Sequence, residues 1–217
     1  MNTRDAILNR IRTALAGEPD SSLPTVPPVW PSAPCPPPDE LARQFFDELG
    51  RVQGEGCRFR TVAELQQRVA QIAGDSPVLG VADHPLCRAA VASVPPGQVA
   101  WVQPDWDRDR IASLPVGLLP AEFLLADTGS AVVVARSPAE RLLCYLPTIA
   151  VVVAETHRLA AHMPDIWEQV TRIVADPAMR GEVVFVTGPS RTADIEKKLV
   201  LGAHGPKRLV VLITDSL

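Results

Sequence analysis

Glu182-Val183-Val184-Phe185-Val186-Thr187-Gly188-Pro189-Ser190-Arg191-Thr192-Ala193-Asp194-Ile195-Glu196 opens as an apolar, β-branched run, turns polar at Thr187, and continues through Lys197, Lys198 and Leu199 at helix-like spacing. The stretch predicts a strand, a tight turn and a helix start, in that order. Free backbone N–H groups and the positive end of a helix dipole converge at such a junction, and α/β proteins place ligand chemistry there. Two more polar turns accompany it: Ala126-Asp127-Thr128-Gly129-Ser130 upstream, and Gly202-Ala203-His204-Gly205-Pro206 about one helix later. A hydrophobic core has no use for three such loops.

Working outward, strands alternate with helices. Apolar runs at 78–82, 130–135, 148–154, 182–187 and 208–214 read as buried strands, and 57–60 and 99–102 as shorter ones. Near-continuous Val, Ile and Leu runs are how a sheet covered on both faces reads, so the fold class is α/β. Strict parallel order does not follow, because 130–135 and 148–154 are close enough to form an antiparallel pair. Helical spacing places Leu41, Phe45, Leu49 and Val52 on one face. Thr61-Val62-Ala63-Glu64 has the form of a capping box, and Gly74 ends the helix it opens. Residues 86–94, 138–143 and 157–174 read as helical, the last broken at Pro164-Asp165.

The first 38 residues read as an appendage to a domain over 39–217. Ile7, Leu8, Ile11 and Leu15 form one face of a short basic amphipathic helix that Gly17 and Pro19 stop. Residues 18–38 are dense in proline, an extended linker or a strap over the surface that Trp30 could anchor.

The formal net charge of -4, with no basic stripe, argues against nucleic-acid binding. No apolar run is long enough to span a bilayer, and no h-region follows Met1, so the expected location is the cytoplasm. Cys35, Cys57, Cys87 and Cys144 show neither CxxC nor Cys/His ligand spacing, so neither a zinc nor an iron–sulfur site is written in the chain.

The motifs carry two readings each. Ser190 is a natural helix N-cap and lacks the GxSxG elbow of a nucleophile. Arg191 is a planar fork suited to a carboxylate or phosphate, or else a salt-bridge partner of Asp127, Asp194 or Glu196. Asp194 and Glu196 suit the first turn of a helix, where the dipole stabilises acids. An arginine and carboxylates together fit a ligand with both acceptor and donor groups, such as a small hydroxy acid. Thr128 and Ser130 either donate to a ligand or satisfy their own turn. His204 is the acid/base candidate by type, with a loop-bonding histidine as the alternative. His84, His157 and His162 lack a comparable setting.

Asp127-Thr128-Gly129-Ser130, Arg141-Leu142 with Leu146-Pro147, Gly188 through Glu196 and Leu201 through Pro206 together resemble the LUD-domain family, in its LutC/YkgG-like branch. The resemblance implies a three-layer α/β/α fold of the NagB/RpiA/CoA-transferase-like kind. It implies a non-redox role in L-lactate oxidation to pyruvate, beside iron–sulfur partner subunits (LutA-like and LutB-like), with no cofactor or metal on this chain. Carried over residue by residue, it marks Thr128, Gly129, Ser130, Gly188, Ser190, Arg191, Thr192, Asp194, Gly202 and Gly205 as ligand-binding candidates, with His204 and Glu196 as catalytic ones. Asp127, which stands where the family often has Glu, joins the ligand-binding candidates. The competing class is a stand-alone CoA-transferase-like or sugar-phosphate-isomerase-like enzyme, in which Glu196 or Glu122 would be the carboxylate nucleophile.

Overall fold

The computed structural model describes residues 3–16, 35–74, 76–177, 179, 182–192, 200–202 and 204–216. The chain divides into two compact units, Met1–Ala33 and Pro34–Leu217. In the first, α1 (Thr3–Leu15) is helical as its spacing predicts, with Ile7, Ile11 and Leu15 exposed. The proline-rich stretch and Trp30 lie outside the described residues, apart from 35–38.

The second unit runs α2 (Pro38–Arg51), β1 (Glu55–Phe59), α3 (Val62–Ala73), β2 (Leu79–Val81), α4 (Pro85–Ala90), β3 (Val99–Trp101), α5 (Arg108–Ala112), β4 (Val116–Pro120), β5 (Phe123–Leu125), β6 (Ser130–Ala135), α6 (Pro138–Leu143), β7 (Ile149–Glu155), β8 (Leu159–Ala160), α7 (Met163–Ala175), β9 (Glu182–Val186), β10 (Arg191–Thr192), β11 (Val200–Leu201) and β12 (Arg208–Thr214). The α3 capping box forms: Thr61 Oγ1 accepts from the Glu64 N–H, and the Glu64 carboxylate accepts from the Thr61 N–H.

Six strands make one sheet in the order β1-β12-β7-β4-β2-β3, every neighbouring pair parallel. Successive residues of β7 face opposite sides of it. Val151 and Val153 pack with Leu65 and Val69 of α3 and with Leu86 and Cys87 of α4. Ala150, Val152 and Ala154 pack with Phe45 and Leu49 of α2, Ile111 of α5 and Leu143 of α6. Helices therefore cover both faces, which is why these strands read as unbroken apolar runs.

A second sheet, β8-β5-β6-β9, shares the α2 side of the core. Its other face takes Ile166 and Val170 of α7 against Phe123, Leu125 and Val132. The fold is α/β as expected, with two corrections. The strands β6 and β7 do not pair but belong to different sheets, and β9 joins β6 antiparallel in the smaller sheet. No helix starts at Ser190 either: Arg191–Thr192 pairs antiparallel with Val200–Leu201. The helical expectation for Lys197, Lys198 and Leu199 lies outside the described residues.

Candidate functional site

Parallel strands set the location of the loops. Residues 144–148 lead into β7 and residues 202–207 lead into β12, so both lie at the amino edge of the large sheet. Lys207 N–H donates to Thr148 O at 2.8 Å and pins the starts of the two strands together. The turn after β9 comes to the same edge. Ser190 N–H donates to Pro206 O at 2.9 Å, and Gly202 N–H donates to Ser190 O at 2.8 Å. At Gly205 a Cβ would stand 3.0 Å from Ser190 Cβ, so the two loops touch where a side chain would separate them.

Between them is a cleft of about 230 Å³. Ala150, Val184 and Leu209 contribute apolar wall, and Tyr145, Thr187, Ser190 and His204 contribute polar groups. Burial raises the Tyr145 phenol above its ordinary value, helped by Cys144 and Glu182, so at neutral pH it is a hydrogen-bond donor. Burial also pushes the Cys144 thiol up to about 12, which leaves it protonated and a poor nucleophile. An apolar wall with a few polar groups is the ordinary make-up of a small-molecule site.

The upstream turn meets this edge through one contact: Ser130 Oγ and Thr187 Oγ1 are 2.6 Å apart. Its other residues serve the fold. Gly129 has φ +61°, and a Cβ there would lie 2.3 Å from the Leu49 backbone N at the end of α2. Gly188 has φ +86°, and a Cβ would lie 2.7 Å from Val52 O. Both glycines let a turn seat against the carboxyl end of the same helix. Asp127 Oδ2 lies 3.2 Å from His162 Nδ1, while the Asp127 and Ala126 N–H groups donate to Ala161 and Ala160. That histidine, which sequence reading left without a setting, is the partner of Asp127.

Thr128 is exposed. Arg191 is exposed as well, is not part of the cleft wall, and makes no ion pair among the described residues. Thr192 is half-buried in β10, and Gly202, at φ +72°, passes close over Lys207. Asp194 and Glu196 lie outside the described residues. The expected N-cap role of Ser190 is replaced by a turn position whose backbone bonds Pro206 and Gly202 of the facing loop. Sequence reading also missed Tyr145 and Phe185 as cleft residues. The available signal was the chain's one tyrosine, set between Arg141-Leu142 and Leu146-Pro147.

The cysteines are dispersed: Cys35 before α2, Cys57 in β1, Cys87 in α4 and Cys144 after α6, the last two buried. Among the described residues no three His, Cys, Asp or Glu side chains are grouped to hold a metal. Nor is any helix among them long and apolar enough to cross a membrane.

Known proteins resemble the chain at every level. The lactate utilization protein C of Anoxybacillus flavithermus is 28% identical over 97% of this chain and 99% of its own length. The proteins of that name from Bacillus pumilus and Halalkalibacterium halodurans are 33% and 32% identical over 44% and 46% of this chain, and those matches span only 40% and 44% of their lengths. In fold, a DUF162 family protein from Deinococcus radiodurans superimposes with a TM-score of 0.64 over 82% of this chain and 99% of its own, at 17% identity. Residues 42–214 match the LUD domain, and the chain belongs to the LUD domain family.

Proposed function

We propose that the chain is a non-redox subunit of an L-lactate oxidation system, converting lactate to pyruvate beside iron–sulfur partner subunits (LutA-like and LutB-like) and binding a small carboxylate in the loop cleft. The observation that carries the lactate reading is the end-to-end match to the Anoxybacillus flavithermus lactate utilization protein C, with 97% of one chain on 99% of the other. Oxidising lactate releases two electrons and two protons, and a group must accept those electrons. In this reading the iron–sulfur partners accept those electrons.

In the cleft, the chain's own groups would bind and orient. Tyr145 and Ser190 offer hydroxyls, and His204 offers an imidazole that can donate or accept a hydrogen bond. One observation counts against the stand-alone enzyme reading. Glu122, the nucleophile named for it, lies at the carboxyl edge of the large sheet, just past β4. There it is ion-paired to Arg158 at 2.9 Å, which lowers its reactivity as a nucleophile.

The test is growth of a deletion strain on L-lactate as sole carbon source. The strain is complemented by the wild type, by Arg191→Ala or by His204→Asn, with protein levels followed by blotting. We expect rescue by the wild type alone, with both variants accumulating normally. Growth of the uncomplemented deletion strain would overturn the lactate reading and promote the stand-alone enzyme.

A further inference from the structure

The loop cleft occupies the amino edge of the parallel sheet. Open α/β sheets bind ligands in the crevice outside the carboxyl ends of their strands. At that edge His84 follows β2, Glu122 follows β4, Glu155 ends β7 with Arg158 just beyond it, and Arg136 follows β6 of the smaller sheet. These five side chains line one pocket.

Its charges are not interchangeable. Arg158 Nη1 donates to Glu122 Oε1 at 2.9 Å, so these two largely satisfy each other. The Arg136 N–H donates to Glu140 Oε2 at 2.7 Å, which fixes the backbone at the head of α6, yet its guanidinium forms no ion pair among the described residues. His84 Nδ1 accepts the Leu86 N–H at 3.2 Å, so a neutral ring carries its proton on Nε2. Burial holds His84 below its ordinary value, which keeps it neutral. A guanidinium fork in no ion pair with a described residue and an N–H donor thus share a pocket with two carboxylates.

Size and charge select the ligand. The pocket holds about 30 Å³, against about 230 Å³ for the loop cleft, so it suits a compact head group such as a carboxylate. A guanidinium fork matches a carboxylate in both plane and spacing. Glu122 and Glu155 penalise a dianion, and they offer acceptors to a hydroxyl.

We propose that this pocket is a binding site for the carboxylate of a small 2-hydroxy monocarboxylic acid, held by Arg136 and His84. It rests on the small-carboxylate part of the reading above and adds a second site for such an acid, at the opposite edge of the sheet from the loop cleft. Isothermal titration of the full chain with L-lactate, and separately with inorganic phosphate, tests it. Arg136→Gln raises the Kd for L-lactate about 10- to 100-fold, the loss expected for a charged hydrogen-bonded pair. Arg136→Lys recovers part of that loss, since it keeps the charge without the fork. Arg43→Gln, which removes an exposed cation on α2, changes nothing. Circular dichroism and thermal melting verify that each variant folds.

Three results would overturn the proposal: no L-lactate binding by the wild type, wild-type affinity in Arg136→Gln, or phosphate bound more tightly than L-lactate. If His204→Asn abolishes binding while Arg136→Gln does not, the acid sits in the loop cleft. The location proposed here then fails and the small-carboxylate reading stands. Growth of the uncomplemented deletion strain bears on the lactate reading alone and not on where the acid binds.

Discussion

At the scale of single residues, the family-like motif divides into groups that hold the fold and groups that face solvent in a cleft. Gly129 belongs to the first. Its left-handed backbone already disfavours any side chain, and a Cβ would press on the backbone of Leu49 rather than on a yielding side-chain tip. Gly129→Ala should therefore destabilise the protein by more than about 2 kcal/mol, read as a lower midpoint in urea unfolding. Ser130→Ala should do less, about 1 kcal/mol, because it removes one hydrogen bond to Thr187, whose own surroundings are open to water. The glycine was legible in the sequence as a turn residue. Its reason was not, because the helix end it touches comes from a distant part of the chain. The same holds for Asp127, whose partner His162 is adjacent only once β5 and β8 pair.

At the scale of elements, local signals succeeded where one turn of chain decides the outcome. The capping box at Thr61 and Glu64 formed as written, and Thr61→Ala should lower stability by about 1 kcal/mol in the same unfolding assay. Long apolar runs such as Arg208–Thr214 were equally legible, since strands covered on both faces must be apolar throughout. Local signals failed at Ser190-Arg191-Thr192, where serine followed by acids resembles a helix start. Pairing with Val200–Leu201, and hydrogen bonds from Ser190 to Pro206 and from Gly202 to Ser190, fix an extended course there instead. Long-range pairing overrides propensity in such short segments. The sequence reading passed over β4 and β5. Val116–Pro120 carries a glycine and ends in proline, and Phe123–Leu125 is too short to show a period. These two strands deliver Glu122 to the carboxyl edge, so the pocket there was invisible before the topology was known.

At the scale of the whole molecule, charge ties distant elements together and makes stability depend on pH. Arg58, at the end of β1, donates to Asp215 just past β12 at 2.6 Å, and Thr156 Oγ1 donates to the same carboxylate oxygen at 2.6 Å. Asp39, the other partner of Arg58, is 88% exposed, so Asp215 is the partner that matters. Thr156, then Arg58, hold the Asp215 carboxyl below its ordinary value of 3.8, and Arg208 does the same for Glu55 against 4.5. A carboxylate depressed in the folded state contributes stability above its unfolded pKa and loses it as pH falls through the folded one. His84 adds a second window with the same slope. Burial, its main cause, lowers its folded pKa below 6.5, so the unfolded chain takes up that proton first, and stability is lost as pH falls from there. The melting temperature should therefore drop in two stages on acidification, one beginning near 6.5 and one below 4.5. Both carboxylates are partly exposed, which keeps the second stage modest. His84→Asn retains an acceptor for the Leu86 N–H but does not titrate, so it should flatten the first stage and leave the second. Asp215→Asn should lower stability at neutral pH and shrink the second stage without touching the first, Glu55 carrying what remains. A melting curve whose first stage survives His84→Asn would overturn the assignment of that stage to His84.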